Sequence, residues 1–206
     1  MPICKLAAAI FLAVVPVAAQ APLPTLRIEP TTGGSIFCIT NTHTAPLAAY
    51  MIEMPDYPGS YYVLFIDVLD AQPIAPGVEL RKPITNMTVG AVPDYVKMQA
   101  AVFTDGSTAG APEKVAVILE RRKATVATVH ELIVRLEKGQ SVADFKLWSD
   151  GLPQIPRNRA RSQDAVNQAE VRSVIAKASA RLTSEGAEKT LAQLREIERM
   201  LAASKP

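Results

Sequence analysis

Apolar and polar residues alternate over short stretches in the first half of the chain, which is the pattern of half-buried β-strands. These stretches follow one another at intervals of roughly 8–12 residues, and glycine, proline and asparagine stand between them. No stretch before residue 111 is long enough to be a helix that connects parallel strands. The pattern therefore predicts an antiparallel, immunoglobulin-like β-sandwich over residues 26–110.

The strand-like stretches end in a run of small and turn-forming residues. Ser60–Asp70 is the most β-prone segment, because it is dense in tyrosine, valine, isoleucine and phenylalanine. Tyr95–Thr104 is predicted to be the last strand, and Asp105-Gly106 a turn after it. Alternation places four residues of that last strand on one face: Val96, Met98, Ala100 and Val102.

The period changes to three or four residues after residue 111, which indicates helices. Pro112 suits a first helical turn, and Gly139 is a natural end for the helix that follows. Ser141 and Asp144 resemble a capping box, so a short helix is expected to about Ser149. The helices of residues 111–149 are predicted to pack on the sandwich.

The remaining residues are predicted to be a linker and a helical C-terminus. Residues 150–161 contain a glycine, two prolines and three arginines, which is typical of an exposed linker. Residues 162–203 are predicted to form a helical hairpin or one bent helix, interrupted at Gly186. An apolar stripe there would pack on the sandwich or bind a partner helix, and it includes Leu191, Leu194 and Leu201. The predicted fold class is α+β.

The first residues have the pattern of a secretory signal peptide. Lys5 precedes an apolar run of about a dozen residues, which is shorter than the ~20 needed to span a bilayer. The small residues at 17–19 predict cleavage after Ala19, so residues 1–19 would be removed. No later segment is a plausible membrane span. The mature chain is therefore predicted to be secreted or periplasmic.

Charge and cysteine content bear on two properties of the mature chain, namely its attraction to nucleic acid and its capacity to form a disulfide. Removal of the signal peptide leaves 21 of the 22 basic residues against 20 acidic ones, so no overall field favours nucleic acid. Cys38 would be the single remaining cysteine, which excludes an intramolecular disulfide. Its position within an apolar run favours a buried structural thiol over a reactive one.

The loop at residues 105–111 is the first place to look for chemistry, because it connects a strand to a helix. A nucleophile elbow needs glycines two residues before and after the serine, and Gly106 and Gly110 do not have this spacing around Ser107. A phosphate-binding loop would need a lysine where Ala111-Pro112 follows. The pattern favours a simple turn.

The other histidine, aspartate and basic residues give weak indications of a functional site. His43 and His130 have no second histidine or cysteine at ligand spacing, so no metal site or cofactor is predicted. Asp67 and Asp70 are three residues apart on a strand and are expected to lie at a solvated edge. Arg121-Arg122-Lys123 is expected to be an exposed helix face.

Two further groups could contact a partner. Tyr57 and Tyr61 surround a proline-rich loop, and tyrosine is enriched at interfaces, although such residues also pack in sandwich cores. The predicted linker carries a small basic cluster that could touch anionic head groups or an acidic partner, but could also be simply solvated: Arg157, Arg159 and Arg161.

The order of these features resembles a loosely defined group of secreted bacterial proteins without an established activity. The resemblance covers residues 35–123 and consists of the Asn41-Thr42 turn, the hairpin residues 74–77, the run 101–107 and a basic helical tail. It implies an immunoglobulin-like sandwich with a C-terminal helical region. The hairpin is also similar to that of BsuPI-type proteinase inhibitors, although no inhibitory loop can be identified.

The sequence favours a non-enzymatic binding or scaffolding protein of the cell envelope, whose partner is another envelope protein. The export signal, the sandwich pattern and the lack of a catalytic motif lead to this hypothesis. One alternative is a secreted hydrolase with a dispersed site near Ser107 and His43. Another is a proteinase inhibitor built on the sandwich. The oligomeric state stays open.

Overall fold

A computed structural model describes residues 21–53, 63–67, 72–85, 96–154 and 163–203. Within these ranges, seven strands precede four helices. The strands are β1 (Thr25–Thr31), β2 (Gly34–Thr40), β3 (Leu47–Glu53), β4 (Val63–Ile66), β5 (Glu79–Thr85), β6 (Lys97–Phe103) and β7 (Thr108–Gly110). The helices are α1 (Pro112–Glu137), α2 (Val142–Asp150), α3 (Gln163–Glu185) and α4 (Ala187–Ala203). This order confirms a mixed α+β fold with a helical C-terminal region.

The strands form two antiparallel sheets. In the part of the chain that the structure describes, one sheet has three strands in the order β1-β2-β5, and the other has four in the order β4-β3-β6-β7. Apolar residues from both sheets form one buried cluster, which includes Phe37 and Ile39 from the first sheet and Tyr50, Ile52 and Phe103 from the second. The two sheets therefore share a core between their inner faces.

The structure corrects two predictions about the end of the sheet region. Val96 and Met98 contact the core between the sheets, whereas Ala100 and Val102 lie on the opposite face, which α1 covers. The reason is a β-bulge, because Met51 pairs with Ala100 but the next residue pairs with Met98, which reverses the alternation. In addition, β6 is followed by another strand, since β7 pairs with it as a short hairpin.

Helix α1 joins the sheets to the helical region. Its first turns cover the outer face of the four-stranded sheet, where Val115 and Ile118 pack on Met51 and Val102. Its later turns belong to the buried cluster of the helices, which also contains Ala48 of β3. One 26-residue helix therefore contributes to both packing regions, and the helices are not a separate appendage.

Local hydrogen bonds and a glycine mark where the C-terminal helices begin and end. Both hydrogen bonds of the predicted capping box at Ser141 and Asp144 are present at the start of α2. Arg172 of α3 donates hydrogen bonds to two carbonyl oxygens at the end of α2, at 2.7 and 3.1 Å. Only Gly186, with a φ of 82°, separates α3 from α4. The two helices therefore meet at a one-residue bend, and both pack on α1.

Candidate functional site

A groove of about 440 Å³ lies between α3 and α4, and we call it the α3–α4 groove. Its floor consists of buried or half-buried apolar side chains from both helices, namely Val174, Ala178, Leu194, Ile197 and Met200. A groove of this volume falls in the range of roughly 300–1,000 Å³ that is usual for ligand sites. It is the clearest candidate for a binding site in the described part of the chain.

The shape of the α3–α4 groove follows from the bend and from small residues. The two helices diverge at Gly186, so their facing sides cannot stay in contact along their whole length. Ala178 and Ala180 on the α3 side do not fill the resulting space. Gln72, which lies between β4 and β5, also lines the groove, so it borders the sheet region. The sequence indicated an interruption at Gly186, in a helical hairpin or a bent helix, but not the space beside it.

Polar side chains stand at the rim of the α3–α4 groove. Lys177, Arg181 and Glu185 lie on the α3 side, and Gln193 and Glu196 lie on the α4 side. Arg199 donates two hydrogen bonds to Glu196, at 2.5 and 2.9 Å, and these lower the pKa of that carboxyl. The arrangement combines an apolar floor with charged groups at its margin, as in sites for amphipathic ligands.

The three leucines predicted to contact a partner contribute to the interior of this chain. Leu194 and Leu201 are only 4% and 3% exposed, and Leu191 packs at the edge of the same cluster. Of the three, only Leu194 lines the α3–α4 groove. The other members of the predicted interaction set lie outside the described residues: Tyr57, Tyr61, Arg157, Arg159 and Arg161.

The loop between β6 and β7 forms a compact turn. The Ser107 hydroxyl donates a hydrogen bond to Asp105 at 2.6 Å, and the Ser107 backbone N–H donates to the same oxygen at 3.0 Å. These two bonds lower the pKa of Asp105, and the nearby His43 lowers it further. His43 stacks on Phe103, with 4.3 Å between ring centroids, and its Nδ1 accepts a hydrogen bond from the Ala45 N–H.

This arrangement differs from a catalytic triad in the order of its hydrogen bonds. In a triad the histidine Nδ1–H donates to the aspartate and Nε2 receives the serine proton. Here Ser107 contacts Asp105 directly, and the Nδ1 of His43 is an acceptor. These bonds stabilise two turns, and they do not prepare the serine for nucleophilic attack.

Cys38 is buried, as predicted for a structural thiol, with 1% exposure. Burial raises the pKa of the Cys38 thiol. Above it lies a closed ring of four charged side chains on the outer face of the three-stranded sheet: Arg27, Glu29, Glu79 and Arg81. Each arginine in this charge ring contacts both glutamates. The thiol is therefore protected from solvent by charges that neutralise one another.

The charge ring makes stability depend on pH. Hydrogen bonds from Arg81 and Arg27 lower the pKa of Glu29 from 4.5 to about 2. Because the folded state depresses this pKa, the stabilisation is present above pH 4.5 and is lost as the pH falls toward 2. We expect Glu29→Gln to lower Tm by a few degrees at neutral pH, with the difference shrinking below pH 4.5. Thermal unfolding monitored by circular dichroism across this range measures the effect.

Glu120→Gln is the matched control for this measurement, because Glu120 is an exposed carboxylate of α1 outside the charge ring. A Tm difference between wild type and Glu29→Gln that stayed constant down to pH 2 would contradict the assigned role of Glu29.

The junction between the four-stranded sheet and the helices contains buried ion pairs, which corrects two predictions. Asp67 is 3% exposed and lies 3.0 Å from Nε of Arg122, which is 6% exposed. Neither residue lies on a solvated edge or face as expected, because α1 crosses the sheet at this point. Arg121 pairs with Glu170 of α3 at 2.6 Å and stacks on Phe65 at 3.7 Å. Asp70 lies outside the described residues.

Within the described ranges, no group of three or more histidine, cysteine, aspartate or glutamate residues could hold a metal ion. A search of the same ranges for a helix with the length and hydropathy of a membrane span found none. No protein-family model matches the chain, and no curated protein or solved structure matches it significantly.

Proposed function

We propose that this chain is an exported binding or scaffolding protein of the bacterial cell envelope, and that the α3–α4 groove is its binding site. The observation that carries the binding site is the open groove itself, with its apolar floor and charged rim. Export rests on residues 1–19, which have the sequence of a signal peptide. Another envelope protein is the partner class that this location favours.

We also propose that residues 26–110 are an immunoglobulin-like sandwich. The strand order supports this assignment, because β1, β2 and β5 correspond to A, B and E of such a domain, and β3, β6 and β7 correspond to C, F and G. The fourth strand of a constant-type immunoglobulin domain, D, pairs with E. Here the fourth strand, β4, pairs with β3 and not with β5. Antibody domains have a disulfide between their two sheets and a tryptophan packed against it. In this chain Cys38 lies beneath the outer charge ring, and Trp148 belongs to α2, so neither residue takes that place.

A pair of substitutions one turn apart on α3 tests the proposed binding site. Ala180 is exposed and lines the α3–α4 groove, whereas Ala176 is exposed and lines a different depression, between α2 and α3. We expect Ala180→Trp to fill the groove and abolish capture of an envelope protein by the mature chain, residues 20–206. Ala176→Trp adds the same bulk to the same helix and is expected to leave capture unchanged.

The measurement is affinity capture from an envelope extract with wild type and both variants as bait, followed by identification of the bound protein. Capture that survives Ala180→Trp would contradict a site in the α3–α4 groove. A fragment that ends at residue 111 is a poor bait, because removing α1 would expose Met51 and Val102 to solvent.

The hydrolase alternative has no comparable support in the described residues. The hydrogen bonds of Ser107 and His43 are those of turn-forming residues, as described above. No inhibitory loop is identified for the proteinase-inhibitor alternative.

A further inference from the structure

The α3–α4 groove contains a guanidinium group with unused hydrogen-bonding capacity. Arg181 is half-buried at the rim, close to the bend at Gly186. Among the described residues, the polar contact of its side chain is an ion pair with Glu185, in which Nε lies 3.4 Å from the carboxylate. That distance is long for a charge-assisted hydrogen bond, and the two terminal nitrogens have no protein partner in the same part of the chain. A guanidinium fork of this kind fits a carboxylate.

The carboxylate on the opposite wall of the groove already has a hydrogen-bond partner other than Arg181. Glu196, the carboxylate of the α4 wall, accepts two hydrogen bonds from Arg199. The other polar groups that line the groove include the neutral amides of Gln193 and Gln72. The other cation that lines the groove, Lys177, already interacts with another group. An anion that entered the α3–α4 groove would therefore find unused donors at Arg181.

The floor of the α3–α4 groove is apolar. Leu194 and Ile197 are 4% and 6% exposed, and Val174 and Ala178 complete the surface between the helices. A ligand that contacts both the floor and Arg181 must carry one anionic group next to a hydrocarbon chain. The volume of about 440 Å³ falls within the range of roughly 300–1,000 Å³ that is usual for small-ligand sites.

We propose that the α3–α4 groove binds a single-chain anionic amphiphile of the fatty-acid class. Its carboxylate contacts the guanidinium of Arg181, and its chain covers Leu194 and Ile197. This inference rests on the proposed binding site and names the ligand class that the site accepts. No covalent step is involved.

Isothermal titration calorimetry of the intact mature chain with decanoate tests the proposal. We expect one saturable site with a dissociation constant in the micromolar range, and about tenfold weaker binding of decanol, which has the same chain without the charge. Arg181→Gln is expected to weaken decanoate binding about tenfold and to leave decanol binding unchanged. Lys189→Gln, which removes an exposed cation outside the groove, should change neither.

Two further variants locate the chain of the amphiphile. Ala180→Trp should abolish binding of both ligands, whereas Ala176→Trp should leave both unchanged, and circular dichroism melting establishes that each variant is folded. Equal affinity for decanoate and decanol, or equal effects of Arg181→Gln and Lys189→Gln, would overturn the proposal. If decanoate does not bind but Ala180→Trp still abolishes protein capture, the amphiphile proposal fails and the proposed binding function stands.

Discussion

Replacing Gly110 with alanine is expected to destabilise the protein by about 3 kcal/mol or more, the combined cost of backbone strain and steric overlap. Gly110 has a φ of 102°, which residues with a side chain rarely adopt. An added Cβ would lie 2.1 Å from the carbonyl oxygen of Gln99 and 2.8 Å from Cα of Ala100. Both are backbone atoms of β6, so no flexible side chain can move aside. Urea unfolding followed by circular dichroism measures the loss.

Gly139→Ala is the matched control, because it separates strain from overlap. Gly139 also has a positive φ, of 74°, but an added Cβ would meet no atom within 4 Å. Its expected cost is about 1 kcal/mol, which is the penalty of the left-handed conformation alone. Equal losses for the two variants would show that the contact between β6 and β7 is not the reason for the glycine at position 110.

Removing either partner of the buried Asp67–Arg122 pair is expected to cost about 3–5 kcal/mol, because the other residue loses its oppositely charged partner in the interior. The two atoms Nε and Oδ2 are 3.0 Å apart, but no hydrogen bond is aligned between them. Within the described ranges, Nη2 of Arg122 also lacks a hydrogen-bond partner. The pair therefore neutralises charge but is not an optimal interaction.

A double-mutant cycle tests this interpretation. We expect Asp67→Leu and Arg122→Met together to cost less than either substitution alone, because an apolar pair needs no compensating charge. The free energy of unfolding in urea is measured for the four proteins. Strictly additive losses would contradict a direct interaction between the two side chains.

A second double-mutant cycle, at a more exposed ion pair, provides a coupling energy for comparison. Lys114 and Glu53 approach to 2.7 Å at the start of α1, but the Lys114 side chain is 32% exposed. Water can solvate the lysine when its partner is removed, so Glu53→Gln together with Lys114→Met is expected to show a smaller coupling energy than the buried pair.

Local sequence signals predicted the helical elements well. Pro112 begins α1, the capping box at Ser141 begins α2, and Gly186 separates α3 from α4. These features depend on contacts within four or five residues, so the chain determines them without knowledge of its distant parts. The alternation of the strands likewise predicted the antiparallel sheets, and the apolar run around Cys38 predicted its burial.

Predictions failed where distant segments decide the outcome. The bulge in β6 is a property of its pairing with β3, and no residue near Gln99 indicated it. Arg122 was expected to be exposed because it lies in a basic run, but α1 places it against Asp67, 55 positions earlier in the chain. A charge pattern on one helix does not say which face another element will cover.

In the candidate site, too, local sequence decided some features and distant segments decided others. The sequence by itself determined that α3 and α4 carry apolar stripes and that a glycine separates them. Only the tertiary structure decided that Leu201 is buried against the chain's own helices, and that Leu194 and Arg181 lie along an open groove. The physical reason is that periodicity fixes which residues share a helix face, whereas the packing of both helices on α1 fixes which part of that face stays uncovered.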